Sequence, residues 1–424
     1  MTVKIRAIRG FRDIPPEEAF RLQDVEVRAR EHFERYGYHE IRLPVVEATE
    51  LFARSIGETT DIVEKEMYTF ADRNGQSITL RPEGTASAVR AYLQGGWKSR
   101  GGITKIYYSG PMFRYERPQK GRYRQFYQMG LEALGGGGPL VDAEVIDLLH
   151  RLFELLEVND IRILVNSLGC GECRPSFRKE LVEFLEMMSD KLCSVCKKRI
   201  KTNPLRVLDC KVTSCIEALK DSPVMLDFLC PDCEAHFDRV TEALNGLGVN
   251  YEVDPRIVRG LDYYNRTAFE AVCERLGAQN AVAAGGRYDG LASELGGDVP
   301  GIGFAIGMER LSQIVDWENR TISPPDYYIA AATPGARIPA LNIAGILRDY
   351  GYCVEIDLED RSLKAQLRSA NKLDIRSVVI IGDEELERGV LKLKDFDKKT
   401  QVELSMDELI ESAANRSRSS KGDA

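Results

Sequence analysis

Four segments carry side chains whose types and spacing suit chemistry on a charged ligand. The window 114–124, RYERPQKGRYR, sets Arg114, Arg117, Lys120, Arg122 and Arg124 against one carboxylate, Glu116. Pro118 and Gly121 make it a loop. A basic loop between two strands can reach the phosphates of a nucleotide or of RNA; a solvated hairpin tip has the same composition. The window 301–311, GIGFAIGMERL, places Gly301, Gly303 and Gly307 among small apolar residues and ends in Glu309 and Arg310. Glycine lets backbone approach a ligand closely, and Arg310, near the start of a helix, could meet a triphosphate. The spacing is neither a P-loop nor a dinucleotide fingerprint, and tight strand–helix packing accounts for the glycines equally well.

The window 259–270, RGLDYYNRTAFE, gathers Arg259, Asp262, Tyr263, Tyr264 and Asn265 in a strand-like context. Buried polar groups need partners, and a polar ligand can supply them; a half-exposed edge strand is the plainer reading. In LRPEGTA, 80–86, Glu83 and Thr85 sit on a turn after a strand. A carboxylate there could pair with a ligand amine, or simply favour a helix N-terminus. None of the four histidines (His32, His39, His150, His236) falls in these segments. Arg, Glu, Gln and Tyr would therefore carry the chemistry, which suits phosphoryl or nucleotidyl transfer, where positioning and charge neutralisation dominate.

The elements that must position these groups follow from periodicity. Residues 17–37 read as an amphipathic helix, and 39–47 as a β-type stretch containing Pro44, which suggests a sheet edge. Strand, turn and helix follow at 77–93. Residues 103–116 and 125–135 read as a hairpin joined by the basic loop, and 141–158 as a helix. Residues 168–248 are Cys-rich and mostly helical, an insertion with its own small core. Strand character resumes at 251–272 and runs through a Gly-rich turn, 283–291, to 301–315. The segment 318–326 is polar with two prolines, a linker candidate. Beyond it strands and helices alternate, which indicates a separate α/β domain, and the tail 415–424 reads as disordered.

At 424 residues the chain is long enough for two or three domains. No stretch reaches the roughly 20 apolar residues of a membrane span, and the N-terminus lacks the apolar core of a secretory signal, so a cytoplasmic location is expected. The net charge of −8 decides nothing about RNA, because a local basic patch can still hold phosphates. Eight of ten cysteines lie between Cys170 and Cys233, with CxxC pairs at 170/173, 193/196 and 230/233. Such pairs fit a tetrahedral zinc site. The expected tetrad is Cys193, Cys196, Cys230 and Cys233, with Cys210, Cys215 or His236 as substitutes; free, partly buried thiols are the alternative.

In this order along one chain, the segments resemble class II aminoacyl-tRNA synthetases, and within them the histidyl family. Pro44 falls where that class has its first motif, FRYERPQKGRYRQFYQMGLE resembles the second and GIGFAIGMERL the third; VRGLDYYNRTAFE and AGGRYDGL resemble the histidine-specific motifs. The resemblance covers nearly the whole chain. It implies a multidomain α/β and α+β fold: an antiparallel-sheet catalytic core in 1–322 that contains the insertion 168–248, then an α/β anticodon-binding domain in 326–424. It implies ATP with Mg2+, histidine and tRNA(His) as substrates, and a homodimer. Arg114 and Arg259 would flank the ATP α-phosphate and Arg310 would hold the γ-phosphate. Glu83, Gly84 and Thr85 would bind the histidine amino group, and Gln128 would orient the amino acid. Glu132 and Tyr264 would bond the imidazole, with Tyr263 and Tyr288 shaping its pocket. One departure is Tyr127, where many relatives are expected to carry His; it should point away from Gln128 across the strand. A non-catalytic, synthetase-like regulatory subunit of histidine biosynthesis is the rival reading. The C-terminal domain and intact motifs speak against it.

Overall fold

The computed structural model describes all residues except 1–4, 58, 59, 61, 119, 120, 260, 262, 278, 279, 319, 321 and 413–424. Lys120, Asp262 and the tail from 415 therefore lie outside the described residues. The chain divides into two compact units, Met1–Arg320 and Thr321–Ala424.

The first unit is built on an eight-stranded sheet. Its strands run in the order His39–Glu40, Thr104–Phe113, Gln125–Leu134, Gly301–Gly307, Ala281–Arg287, Asn265–Cys273, Ile161–Ser167 and Tyr251–Val253. The central six are antiparallel, and the short strand at each edge joins in parallel. Three long helices cover one face: Pro16–Arg35, Pro139–Leu155 and Pro231–Leu247. The helix Pro16–Arg35 buries Leu22, Val25, Ala29, His32 and Phe33, which recur at helical spacing on one side. It starts with proline in its first turn, followed by Glu17 and Glu18, and ends with His32 and Arg35, all favourable for a helix dipole. The helix Pro139–Leu155 packs beside it, over Met129, Leu131, Ile302, Phe304 and Ile306. Each such apolar side chain contributes roughly 1.5–3 kcal/mol on burial.

Strand alternation then decides what the other face holds. With Ile302, Phe304 and Ile306 in the helix-covered core, Gly301, Gly303, Ala305 and Gly307 face the opposite side. With Met129, Leu131 and Ala133 in that core, Gln128, Gly130 and Glu132 face the opposite side as well. Tyr107 and Tyr108 likewise belong to different cores. The opposite face carries Tyr108, Met112, Tyr263, Tyr264 and Tyr288 under the helix Thr85–Gln94.

Two expectations change here. Pro44 is not within a strand: His39–Glu40 and Val46–Ala48 belong to different sheets, and Pro44 lies in the link between them. The Gly-rich segment 283–291 is not a turn at its start, because Ala281–Arg287 is a central strand. A Cβ on Gly286 would stand 2.7 Å from the Thr267 carbonyl oxygen, so glycine here answers crowding between strands.

Between Ser167 and Tyr251 the chain leaves the sheet and forms the helices Arg174–Met187, Ser194–Thr202, Thr213–Ala218 and Pro231–Leu247. The first three enclose a core of their own that includes Phe177, Leu181, Leu185, Ile200 and Val207, whereas Pro231–Leu247 buries Phe237, Val240 and Leu244 in the core of the sheet. The second unit is a five-stranded mixed sheet in the order Val354–Ile356, Tyr327–Ala331, Ser377–Ile381, Val390–Asp395, Thr400–Ser405, with the helices Arg337–Asp349 and Leu363–Lys372 among its connections. Among the described residues no helix is long and apolar enough to cross a membrane.

Candidate active site

The face left free by the covering helices opens into a cavity of about 290 Å3. Arg114, Arg259 and Arg310 line it, together with Glu83, Thr85, Gln128, Tyr263 and Tyr264. Four separate segments thus converge as their residue types suggested. Arg114 leaves the end of strand Thr104–Phe113, donates from Nε to the Pro82 carbonyl at 2.8 Å and stacks over Phe126. Arg310 stands in the helix Met308–Ser312 and donates from Nη1 to the Ala281 carbonyl at 2.7 Å. Burial, and secondarily the cations Arg122 and Arg114, push its pKa down, so an anion would relieve an unfavourable cluster.

Arg259 is the most firmly held of the three. Nη1 donates to Glu270 at 2.8 Å, and Nη2 donates to the Gly285 carbonyl at 2.7 Å and to the Phe269 carbonyl. The guanidinium lies over the Tyr264 ring. Its Nε is buried without a protein partner, as are Gln128 Oε1 and Tyr263 OH. Buried polar atoms without partners are costly; three on one cavity wall point to a polar ligand.

Glu83 is buried and both carboxylate oxygens accept helix N-terminal N–H groups, from Thr85 and, at 2.9 Å, from Ala86. It thus caps the helix Thr85–Gln94 while lining the cavity. Burial raises its pKa, and those backbone donors oppose the rise. Gly84 is not on the cavity wall; a Cβ there would strike the Tyr108 ring, so its smallness serves packing.

Glu132 and Tyr288 lie beneath the wall rather than on it. Glu132 is fully buried and accepts from Tyr288 OH and, at 3.1 Å, from Tyr108 OH. Burial pushes its carboxyl up to about 8, against hydrogen bonds from Tyr288, Thr85 and Tyr108. Burial raises the Tyr264 hydroxyl to about 12 and lifts those of Tyr263 and Tyr288 well above the usual tyrosine range. Tyr108 was not among the expected site residues. Its strand position opposite Gly130 was the available signal, because a Cβ on Gly130 would meet its ring.

The small residues of 301–307 have the same origin. Gly303 pairs with Glu132 across the sheet, and a Cβ on it would fall on the Glu132 carboxylate and the Leu131 carbonyl. A Cβ on Gly301 would strike Tyr288. Gly303→Ala is therefore expected to displace the Glu132 carboxylate. If Glu132 serves amino-acid recognition, the KM for the amino acid rises at least tenfold while that for the nucleotide stays within about threefold. An unchanged amino-acid KM in a folded variant would reject this coupling.

Tyr127 packs against the helix-covered core while its neighbour Gln128 lines the cavity, so the two do face opposite ways. A buried network the sequence did not reveal lies behind the site. Asp142 accepts from Thr267 Oγ1, Arg287 and, at 2.9 Å, His236 Nε2. Burial pushes the Asp142 pKa up, but the His236 and Arg287 hydrogen bonds outweigh it, so the net shift is down. His236 is thus engaged by a carboxylate and is not a cysteine-site ligand.

The expected tetrad Cys193, Cys196, Cys230, Cys233 does not form. Cys230 and Cys233 lie with Cys170 and Cys173, and Cys193 and Cys196 with Cys210 and Cys215; each group could hold a metal ion. The reason is topological. Ile161–Ser167 and Tyr251–Val253 pair in parallel, so the helix Pro231–Leu247 runs back along them and its start, with Cys230 and Cys233, comes beside Cys170 and Cys173 just past the end of Ile161–Ser167. The middle pair is left to the cysteines between them.

An antiparallel sheet with this arginine-lined face and a separate mixed-sheet C-terminal unit defines a class II aminoacyl-tRNA synthetase. Residues 10–311 match the histidyl-tRNA synthetase family, and residues 330–416 match the anticodon binding domain. The chain belongs to the histidyl-tRNA synthetase family. It is 50% identical over 412 residues to a histidine--tRNA ligase of Desulfatibacillum aliphaticivorans, covering 97% of this chain and 98% of that one. It is 51% identical over 393 residues to one from Trichlorobacter lovleyi, covering 92% and 94%. Its structure resembles apo histidyl-tRNA synthetase of S. aureus with a TM-score of 0.81 at 34% identity, covering 97% of this chain and 100% of that one.

Proposed function

We propose that this chain is a histidine–tRNA ligase. The histidine carboxylate attacks the ATP α-phosphorus, pyrophosphate leaves, and histidyl-adenylate forms; a terminal ribose hydroxyl of tRNA(His) then attacks the histidyl carbonyl and AMP leaves. The observation that carries this reading is the convergence of Arg114, Arg259 and Arg310 with Glu83, Gln128, Tyr263 and Tyr264 on one cavity, three of whose buried polar atoms lack protein partners.

In this reading Arg114 and Arg259 flank the α-phosphate and stabilise charge that develops as it is attacked. Arg310 takes the γ-phosphate. Glu83 and Thr85 receive the α-ammonium, with Gly84 giving their turn its close approach to Tyr108. Gln128 orients the amino acid, and Tyr264 and Glu132 recognise the imidazole, with Tyr263 and Tyr288 shaping the pocket. Once Glu132 shares its proton with the bound imidazole, its carboxylate offers about four lone-pair sites, so it can accept an imidazole N–H beside the two tyrosine hydroxyls. Mg2+ enters with ATP as part of the substrate and keeps phosphate and water ligands; Glu116 and Glu309 are the carboxylates on the cavity wall nearest in sequence to Arg114 and Arg310.

The catalytic domain is assigned to 1–322 with the insertion 168–248, and the anticodon-binding domain to 326–424. The enzyme acts in the cytoplasm as a homodimer. A purely regulatory role is not favoured, because the arginine set and the anticodon-type unit are both present. ATP–pyrophosphate exchange with each amino acid in turn tests the reading. Exchange is expected with histidine alone; none with histidine would end it.

A further inference from the structure

We propose that the insertion binds two Zn2+ ions, one at Cys170, Cys173, Cys230 and Cys233 and one at Cys193, Cys196, Cys210 and Cys215. Within each group the four Sγ atoms lie within 4.8 Å of one another. Individual separations are 3.7 Å for Cys170–Cys173, 3.8 Å for Cys170–Cys230 and 4.0 Å for Cys193–Cys210. Tetrahedral zinc with Zn–S bonds of about 2.3 Å sets neighbouring sulfurs about 3.8 Å apart. All eight are free cysteines, and one member of every CxxC pair is buried.

The backbone around the sulfurs is arranged for thiolates. Cys173, Cys193 and Cys230 stand at the N-caps of the helices Arg174–Met187, Ser194–Thr202 and Pro231–Leu247. Helix N-termini favour the anionic sulfur that a metal needs. The N–H of Cys230 donates to Cys173 Sγ at 3.1 Å, that of Cys193 to Cys215 Sγ at 3.2 Å and that of Glu172 to Cys170 Sγ at 3.4 Å. Such outer contacts orient ligands and offset charge on the sulfur. Each filled site releases four thiol protons, binds one Zn2+ and carries a net charge of −2. The run Lys197, Lys198, Arg199 and Lys201 in the helix Ser194–Thr202 compensates the second site.

The two sites also divide the structural task. The first closes the insertion where it leaves the sheet, and the second organises its outer part. Small cores commonly need such a metal to fold. At the base, the Leu168 N–H donates to the Arg266 carbonyl at 2.6 Å, the Arg266 N–H donates to the Gly169 carbonyl at 2.9 Å, and Arg174 donates to the Tyr264 carbonyl. The first zinc thus braces the segment that carries Tyr264.

The test is elemental analysis of the full-length protein, expressed with ample zinc and purified under reducing conditions without metal-affinity resin. Two zinc per chain are expected, with X-ray absorption showing four sulfur neighbours at about 2.3 Å. Cys196→Ser and Cys233→Ser should each reduce the content to one. Should those variants fail to fold, mercurial titration of the native protein decides instead, with two zinc released as eight thiols are consumed beyond the exposed Cys353. Removing both ions should raise amide exchange at least tenfold across 170–233. Protein free of stoichiometric metal, stoichiometric iron in place of zinc, or a single zinc per chain would each overturn the proposal.

Discussion

Arg259→Ala is expected to slow histidine activation by about a hundred- to a thousandfold while the protein still folds. The size follows from what a fixed donor contributes when charge develops in a water-poor site, about 2.7–4 kcal/mol for one preorganised group. Arg259 is fixed before substrate arrives: Glu270 and two strand carbonyls hold both terminal nitrogens, and Nε is buried with no protein partner. Preorganisation of this kind acts on the rate more than on ground-state binding. The loss should therefore appear in kcat, with KM for ATP and histidine changed less than about threefold. Glu270 keeps access to water in the variant, since its side chain is 26% exposed, so the melting temperature should fall by only a few degrees. Arg259→Lys should recover little, because an ammonium cannot reproduce the forked contacts that aim the guanidinium. Single-turnover adenylate formation is the measurement. A rate within threefold of wild type in the alanine variant would remove Arg259 from the reaction, and one in the lysine variant would show that its charge suffices without the fork.

The convergence of these arginines could be anticipated from the order of motifs along the chain, but the reasons for individual residues could not. In GIGFAIG, glycine read equally as ligand approach or strand–helix packing. The structure shows a third cause: Gly301 and Gly303 leave room for the side chains of Tyr288 and Glu132. In AAGGRYDG, local propensity argued for a turn, and crowding between adjacent strands overrode it. The cysteine pairing was out of reach because it depends on which strands become neighbours around the insertion, a long-range fact. Periodicity did reveal the long helices and the hairpin of 103–116 and 125–135, since each buries one face against something. It did not reveal the final antiparallel pair, Val390–Asp395 and Thr400–Ser405, whose residues are charged and largely exposed or half-buried and so lack an apolar alternation. The Asp142–Arg287–His236 network was invisible for a related reason. Charged residues read as surface until their partners, far away in sequence, are known.

Glu132 is expected to give histidine binding a pH profile with two limbs. With its carboxyl pushed to about 8, Glu132 carries a proton at neutral pH. Free histidine has an imidazole pKa of about 6.5. Between these values the ligand arrives neutral and the carboxyl arrives protonated, so the pair forms around one shared proton with no net uptake or release. Below about pH 6.5 the ligand brings a second proton, and one must leave. Above about pH 8 neither partner holds one, and a proton must be taken up. The KM for histidine should therefore be flat between those limits and rise about tenfold per pH unit outside them. Glu132→Gln cannot share that proton and replaces a charge-assisted hydrogen bond, worth about 1.5–3 kcal/mol. Its KM for histidine should rise about ten- to a hundredfold at neutral pH, with KM for ATP within about twofold. The limb near pH 8 should vanish from the variant, leaving only the later loss of the substrate's own α-ammonium, which Glu83 is proposed to bind. Exchange assays from pH 5.5 to 9.5 with saturating ATP resolve this. A wild-type KM that stays flat well above pH 8, or a glutamine variant that keeps the same limb, would show that Glu132 does not share a proton with the imidazole.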